Sequence, residues 1–510
     1  MTTSGYFRLD TLSATGTNTG FTISMTAAAG GPAFALTVAP KAGGTIPAGS
    51  TPTAPFPVVE TGTTDPATPT TARLVIAQGA GVCSNGSGQY RIDDIAFGGA
   101  GGAISRLAMT WSLQCLAIPA GPLSSGVVHL NQENGPIGNP AASEFYPVEP
   151  ARLFETRRPA AGLGAGATAD ITVVGVAGVP TNATAVVLNV TAVSPTLQTF
   201  LTVYPAGAGL PLASNVNPAP DDIVANLTTV KVGVGGKVTL FNSVGVTGAL
   251  VDIVGYYAPE DATTGGGRFF GQTPARLLDT RNANVPFGPG ETREITVDAT
   301  ATAAVLNVTS TLSTEASYLT VFPQGGAVPE ASNLNFSAGQ NLPNLVVVKL
   351  TAGKASIFNS VGSTHVVVDV VGVFKDGIPV ITKSGRFIPL DPVRAYDTRD
   401  PKPQGSLVTV ALAPGEARDV DVLGLLKAYH FEYSGFVANV TVTQTTADYG
   451  FLTVFPTGAA RPNASNLNWR AAETRPNLAM TATDAFGFTS YYNDQGATHL
   501  IIDVAGWFTR

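Results

Sequence analysis

Residues 365–374 read His-Val-Val-Val-Asp-Val-Val-Gly-Val-Phe, an apolar run interrupted by one carboxylate, Asp369. The β-branched residues that fill it favour a strand. Both faces of such a strand are apolar, so we expect a central strand that is covered on both sides. A bilayer span needs roughly 18 apolar residues, and no run in the chain approaches that length. The run therefore predicts a sheet core and no membrane-spanning segment.

The same kind of strand closes three successive units. Each unit opens with Pro-x-Arg-x-x-Asp/Glu-Thr-Arg, at residues 150–157, 274–281 and 392–399, and closes with an apolar strand that ends Gly-x-aromatic. Between these motifs lie an Asn-Val-Thr strand, a Leu-Thr-Val-aromatic-Pro strand and a Ser-Asn-x-Asn turn. A period this long is typical of one whole domain per repeat. We expect repeats at residues 145–258, 268–375 and 386–510.

The composition indicates strands and turns rather than helices. Only 12% of the residues are charged, and the chain contains 57 Gly and 37 Pro. This mixture favours short strands separated by tight turns. We therefore predict an all-β protein with an N-terminal β domain followed by three tandem β-sandwich or small-barrel repeats. Each repeat has a full strand set, so we expect it to fold alone, with an obligately packed trio as the alternative.

Residues 1–132 lack the repeat and are predicted to form the separate N-terminal β domain. Residues 90–97 and 104–111 are strand-like and flank a Gly-rich turn, which is typical of a hairpin. Cys83 precedes the first of these strands and Cys115 follows the second. Because a hairpin brings its outer ends together, we expect a disulfide between them, with two buried thiols as the alternative.

Several phrases of the second repeat resemble a repeat that abounds in secreted and cell-surface proteins of actinobacteria. They are PARLLDTR, AVLNVT, YLTVFP and ASNLN, all within residues 274–335. The family has no established activity, so the resemblance implies an exported or surface-displayed protein without naming a ligand. Residues 1–10 have neither the basic nor the apolar region of a signal peptide. We expect an extracellular or cell-surface protein whose signal peptide is absent from this chain.

No motif in the sequence indicates catalysis or a cofactor. The four histidines are scattered, and neither a metal-binding spacing, a nucleophile elbow nor a phosphate-binding loop is present. Lys and Arg do not cluster as nucleic-acid binding requires. We expect no enzyme, no metal, no cofactor and no nucleic-acid partner, and we keep an enzyme site in the N-terminal domain as an alternative.

Polar residues that recur in register are the candidate site. One interpretation is a repeated site for the hydroxyl groups of a glycan. The preferred interpretation is structural: Asn and Ser cap turns, and each strand Asp pairs with an Arg of the opening motif. The candidates are Arg152, Arg157, Asp252, Arg276, Asp279, Arg281, Asn333, Asn335, Asp369, Arg394, Asp397, Arg399, Asn466, Asn468 and Asp503.

The aromatic residues divide into core and surface candidates. Tyr257, Phe374 and Trp507 are expected in the core, whereas Trp469 is the better candidate for stacking on a ligand. Together these features predict an extracellular or surface-displayed structural or adhesive scaffold without catalytic activity. The alternatives are a carbohydrate- or envelope-binding array and a particle or fibre component. The expected partners are envelope glycans or copies of the chain itself.

Overall fold

The computed structural model describes residues 142–157, 162–260, 265–377, 384–400, 410–425, 433–484 and 487–509, together with the backbone of nine strands between residues 9 and 131. The chain divides into two compact units, Met1–Asn139 and Pro140–Arg510. Within the residues described, no helix has the length and apolar character needed to cross a membrane.

The N-terminal unit contains two antiparallel sheets. In the first sheet the strands lie in the order β1 (Leu9–Thr17), β2 (Gly20–Ala27), β3 (Ala33–Ala39), β5 (Arg73–Gln78) and β6 (Gly81–Val82). In the second the order is β4 (Val58–Thr63), β7 (Gly86–Gly98), β8 (Ala103–Cys115) and β9 (Ser124–Asn131). The predicted hairpin is confirmed, because β7 and β8 pair from Gly86 opposite Cys115 to Gly98 opposite Ala103. Cys83 and the side chain of Cys115 lie outside the described residues, so the disulfide stays a prediction.

The second unit contains the three repeats. Repeat 1 has β10 (Glu144–Thr156), β11 (Thr168–Thr172), β12 (Ala185–Val193), β13 (Leu201–Pro205), β14 (Ile223–Lys231), a 3-10 turn (Val234–Gly236), β15 (Lys237–Asn242) and β16 (Gly248–Ala258). Repeat 2 has β17 (Arg268–Asp279), β18 (Thr292–Thr296), β19 (Ala303–Thr311), β20 (Ser317–Pro323), β21 (Leu334–Phe336), β22 (Leu342–Lys349), β23 (Lys354–Asn359) and β24 (His365–Lys375). Repeat 3 has β25 (Phe387–Asp397), β26 (Ala417–Val420), α1 (Val422–Leu425), β27 (Tyr433–Thr443), β28 (Tyr449–Pro456), β29 (Leu467–Arg470), β30 (Arg475–Ala482), β31 (Thr489–Asn493) and β32 (His499–Thr509).

Each repeat is a jelly-roll β-sandwich. In repeats 2 and 3 the first, eighth, third and sixth strands form one sheet, and the second, seventh, fourth and fifth form the other. This is the order of an eight-stranded jelly roll, which is two Greek keys folded into two sheets. Repeat 1 has the same order, with a single bridge from Leu201 to Val216 in place of the fifth strand. The predicted all-β fold with sandwich repeats is confirmed.

The closing strand lies inside the first sheet of its repeat, as its two apolar faces indicated. In repeat 2, β24 pairs with β17 on one side and with β19 on the other. Val366 and Val368 pack in the interior of the sandwich, whereas Val371 and Phe374 face the opposite way, into a second core. One strand therefore supplies two separate apolar cores.

That second core lies where the three repeats meet and contains side chains from all of them. Its aromatic residues pair cyclically, each from the first strand of one repeat with one from the last strand of another. The centroids of Phe145 and Phe374, of Phe269 and Phe508, and of Phe387 and Tyr257 are each 4.3 Å apart. We call this shared cluster the axial core. Because all three repeats contribute to it, the packing favours an obligately packed trio over repeats that fold alone. The repeat boundaries themselves stay a prediction.

The glycine of the closing Gly-x-aromatic motif makes room for these rings. A Cβ atom at Gly255 would come within 2.3 Å of the Phe145 ring, and one at Gly372 within 2.5 Å of the Phe269 ring. Packed rings cannot move aside without disturbing the whole core. The recurrence of this glycine in each repeat is thereby explained.

A charged cluster caps one end of the axial core. Glu144, Arg268 and Arg386 each immediately precede the first axial phenylalanine of their repeat, so they occupy equivalent positions. The Glu144 Oε1 atom accepts hydrogen bonds from Nε of Arg268 at 2.9 Å and from Nε of Arg386 at 3.3 Å. Glu144 and Arg268 are 3% and 0% exposed. This ion cluster joins all three repeats.

Candidate functional site: the interfaces between repeats

The strand aspartates form the predicted ion pairs with an arginine of the opening motif, and in every repeat the partner is the first of the two arginines. Nε of Arg276 lies 2.5 Å from Oδ1 of Asp369. The equivalent pairs are Arg152 with Asp252 at 2.5 Å and Arg394 with Asp503 at 2.8 Å. In each case the two residues sit opposite each other on the paired first and last strands. The pairs therefore fasten the two ends of every repeat together.

These aspartates are buried, and burial affects their titration. Burial raises the pKa of Asp252, Asp369 and Asp503, although the hydrogen bond from the arginine opposes the rise. A raised pKa means that the protonated carboxyl is the form that folding favours. The associated stability is therefore present at low pH and is lost as the pH rises through the folded-state pKa. At neutral pH the arginine offsets part of the cost of keeping the charge buried.

The same arginines also cross to a neighbouring repeat. Nη2 of Arg276 donates to the carbonyl oxygen of Asn463 in repeat 3 at 2.5 Å. The equivalent contacts run from Arg152 to Glu330 at 3.3 Å and from Arg394 to Leu212 at 2.9 Å. Repeat 1 thus contacts repeat 2, repeat 2 contacts repeat 3, and repeat 3 contacts repeat 1. We refer to these as interfaces 1–2, 2–3 and 3–1.

A recurring asparagine makes a second contact across each interface. Nδ2 of Asn307 donates to the carbonyl oxygen of Ser465 at 2.5 Å, with the equivalent contacts made by Asn189 and Asn439. These asparagines belong to the Asn-Val-Thr strands, and they were not among the predicted site residues. A buried amide in the middle of a Val-rich strand needs a partner. That requirement was the available signal, but the sequence did not show that the partner lies in another repeat.

The second arginine of each opening motif pairs locally. Arg281 lies 2.6 Å from Asp279 and Arg399 lies 2.7 Å from Asp397, while Arg157 binds Glu155. The hydrogen bond from Arg281 lowers the pKa of Asp279 to about 2. At Asp397 burial acts to raise the pKa, but the hydrogen bonds from Arg399 oppose it and the pKa is lowered. Asp279 and Asp397 each also bind the arginine that reaches across the interface.

The Ser-Asn-x-Asn turns divide into a structural and an interfacial asparagine. Oδ1 of Asn333 accepts a hydrogen bond from the backbone N–H of Val321 at 2.6 Å, and Asn466 does the same for Val454 at 2.7 Å. The second asparagine of the turn makes a different contact: in repeat 2, Nδ2 of Asn335 donates a hydrogen bond to Oγ of Ser332 at 3.1 Å. Asn468 reaches Oδ1 of Asn341, in repeat 2, also at 3.1 Å. Among the asparagines of these turns that the structure describes, Asn468 is therefore the one whose side chain reaches another repeat.

The prediction for Trp469 is wrong. Its side chain is 3% exposed and packs in the core of repeat 3, so it cannot stack on a ligand. Its position matches Phe336, which fills the same place in the core of repeat 2. Tyr257 and Phe374 are core residues as expected, and Trp507 packs at the edge of the repeat 3 core.

Two open clefts lie at equivalent places on two interfaces. The cleft of interface 2–3 has a volume of about 500 Å³ and that of interface 3–1 about 320 Å³. In the described part of the chain, no three His, Cys, Asp or Glu side chains are grouped so as to hold a metal ion. The larger cleft is lined by Arg276, Arg281, Thr309, Thr311, Asn341, Val367, Asp369, Phe451, Arg461, Pro462, Asn463, Ala464, Ser465, Asn468 and Asp494.

No family model and no curated protein matches the chain. Among solved structures, a chain from the triple jelly roll fold and turret assembly in an archaeal virus aligns at 6% identity and a TM-score of 0.15, over 72% of this chain and 91% of that chain. A chain from the atomic structure of Sulfolobus turreted icosahedral virus aligns at 7% identity and a TM-score of 0.15, over 72% of this chain and 90% of that chain. Scores this low carry no argument about function. The jelly-roll assignment rests on strand order, and the resemblance to the actinobacterial repeat stays a prediction.

Proposed function

We propose that this chain is a non-catalytic structural component of an extracellular surface or particle, in which residues 142–509 act as one building block. The proposal rests on one observation: the recurring polar residues bind one another and the neighbouring repeat. Asp252, Asp369 and Asp503 are 1%, 1% and 3% exposed and bind arginines that clamp a neighbouring repeat. These side chains could have formed one ligand site in each repeat. Instead, their hydrogen bonds and ion pairs hold the repeats together.

The interfaces resemble those of an obligate assembly. They combine a shared apolar core with buried polar contacts, as permanent interfaces do. Each repeat contributes its own sandwich core and also part of the axial core. A body built in this way resists separation of its parts, which is what a structural role requires.

Apolar side chains on the surface of repeat 1 support assembly with further copies of the chain. Leu197, Phe200, Val244 and Val246 are 54%, 36%, 41% and 36% exposed. They lie on adjoining loops, since Thr196 N–H binds the Val246 carbonyl and Ser243 N–H binds the Phe200 carbonyl. Exposed apolar patches often mark contact surfaces.

Location is tested by immunogold electron microscopy of the native source with antibodies raised against residues 142–509. We expect label on the cell surface or on released particles. Label confined to the cell interior would contradict the proposal.

Assembly is tested by sedimentation velocity of the full chain over a hundredfold concentration range. We expect association that weakens in the Leu197→Ser, Val246→Ser double variant. Val285→Ser, at a side chain of repeat 2 that is 51% exposed, is the matched control and should associate like the native chain. A chain that stays monomeric throughout, or a double variant that associates like the control, would count against self-assembly.

A further inference from the structure

The cleft of interface 2–3 contains charged groups that the architecture does not use. Arg276 and Asp369 are bound to each other, but Arg461 and Asp494 are not part of any such pair. The Arg461 guanidinium lies over the Tyr492 ring, 4.1 Å from its centroid. Within the described residues, neither the Arg461 guanidinium nor the Asp494 carboxylate has a hydrogen-bond or ion-pair partner. Both side chains line the cleft and are available to a ligand.

The other two repeats show that these groups are not needed for folding. Arg461 stands where repeat 1 has Leu210 and repeat 2 has Val328, in the turn that precedes Ser-Asn-x-Asn. Asp494 likewise stands where the other repeats have Ser243 and Ser360. Interfaces 1–2 and 3–1 form with the smaller or apolar residues at these positions. The guanidinium and the carboxylate therefore distinguish the cleft of interface 2–3 from its equivalents.

The cleft is polar but nearly neutral. Three guanidinium groups line it, from Arg276, Arg281 and Arg461, together with the carboxylates of Asp369 and Asp494. Asp279 lies behind them and binds both Arg276 and Arg281, which balances the third positive charge. A ligand with a large net charge would gain little from such a site.

The remaining lining groups suit a polyhydroxylated ligand. Asn341 and Asn468 present amides, Thr309 and Thr311 present hydroxyl groups, and Phe451 offers an aromatic ring. Amide, carboxylate and guanidinium groups together can donate to and accept from neighbouring hydroxyl groups. An aromatic ring can pack against the apolar face of a sugar. The volume of about 500 Å³ lies within the range of small-molecule sites, about 300 to 1,000 Å³.

We propose that the cleft between repeats 2 and 3 binds a neutral saccharide, with Arg461 and Asp494 as its specificity-determining residues and Phe451 as its packing surface. The equivalent positions of interfaces 3–1 and 1–2 carry Leu210 with Ser243 and Val328 with Ser360, and these interfaces do not bind it. The chain would thus hold one sugar site on a threefold-repeated body.

The test uses the full chain and saturation-transfer NMR with four probes: maltotriose, cellotriose, triacetylchitotriose and trigalacturonate. Arg461→Leu and Asp494→Ser install the residues that repeat 1 carries at these positions, so the fold should be retained and the midpoint of thermal unfolding should stay unchanged. Leu210→Ala, at the equivalent position of repeat 1, is the matched control. We expect at least one neutral trisaccharide to bind, with affinity reduced at least tenfold in each of the two variants and unchanged in the control.

Three results would overturn the proposal. The first is that no probe gives a signal with the native chain. The second is that trigalacturonate alone binds, since this would require a charged ligand. The third is that Arg461→Leu and Asp494→Ser bind as the native chain does, or that Leu210→Ala loses binding equally. None of these results would bear on the structural role, which rests on the buried contacts and not on Arg461 or Asp494.

Discussion

Interface 1–2 and interface 2–3 are built on the same buried contacts but differ at their exposed rims. In interface 1–2, Lys349 of repeat 2 pairs with Glu149 of repeat 1 at 3.1 Å. The equivalent residues of interface 2–3 are Ala482 and Thr273, which cannot form such a pair. Interface 2–3 instead has the larger cleft with Arg461 and Asp494. The difference indicates that the buried contacts fix the arrangement, whereas the rim is free to take on another role.

Separating repeat 2 from both of its interfaces should have the largest effect. Expressed alone, residues 265–377 would expose Phe269 and Phe374, which are 3% and 0% exposed in the full chain. Circular dichroism during heating should show no cooperative transition for this fragment. Residues 142–509, as the control, should unfold cooperatively. A fragment that melts cooperatively would restore the expectation that each repeat folds alone.

Phe374→Ala should weaken every interface together, because this ring contacts rings from all three repeats. Truncating a buried phenylalanine costs about 3 to 5 kcal/mol of unfolding free energy. Denaturant titration measures the loss. Phe270→Ala is the matched control, since that ring is 39% exposed, and it should cost less than half as much. Equal costs would mean that the axial core does not hold the repeats together.

Asp369→Ala should weaken interface 2–3 while leaving interface 1–2 intact. Removing one partner of a buried ion pair typically costs about 3 to 5 kcal/mol. We expect the lower end, because Arg276 keeps Asp279 as a partner. The comparison is Glu149→Ala at the rim of interface 1–2, whose side chain is 64% exposed and whose removal should cost at most about 1 kcal/mol. Similar costs for the two variants would remove the distinction between buried contacts and rim.

Asp279 should make interface 2–3 sensitive to acid. Its folded-state pKa of about 2 lies below the ordinary value of 3.8, so its stabilising contribution is present above about pH 4 and is lost as the pH falls towards 2. The melting temperature of Asp279→Asn should therefore lie below that of the native chain at pH 6 and approach it at pH 2. Glu294→Gln, in a half-exposed pair with Lys354, serves as the control and should differ little at either pH. If the melting temperatures of Asp279→Asn and the native chain differed by the same amount at pH 6 and at pH 2, the assigned pairing would be contradicted.

The smallest effect should come from installing the missing rim pair. Thr273→Glu with Ala482→Lys copies Glu149 and Lys349 into interface 2–3 and should stabilise the chain by at most about 1 kcal/mol. The gain should vanish in 1 M salt, where screening acts over about 3 Å. Thr273→Glu alone is the control and should give no gain. A stabilisation that persists in high salt would show that the rim contributes more than charge.

The sequence was informative where a local rule applies. Alternating and doubly apolar strands predicted the sandwiches, and the cost of burying Asp369 without a partner predicted its pairing with an arginine of the opening motif. Both inferences need only the chemistry of one repeat. The pattern of polar residues recurring in register also separated the candidate cluster from the rest of the chain.

The packing of the repeats against one another could not be predicted in the same way. Val368 faces the sandwich core and Val371 faces the axial core, yet both are valines in one apolar run. The carbonyl oxygens that Arg276 and Asn307 bind belong to residues about 160 to 190 positions away and carry no side-chain signature. Trp469 was misjudged because an aromatic residue beside polar ones was expected at the surface. Its side chain instead takes the position that Phe336 holds in repeat 2.

The cluster of Glu144, Arg268 and Arg386 has a consequence for how separate molecules interact. One position, repeated three times around the axis, carries a negative charge once and a positive charge twice. Three copies of repeat 2 brought together would place three buried guanidinium groups side by side, and three copies of repeat 1 would do the same with carboxylates. Like charges held together in this way oppose association. The charges thus oppose the replacement of repeat 1 by repeat 2 or 3 of another molecule, and the reverse replacement, so each trio is favoured to contain one copy of repeat 1.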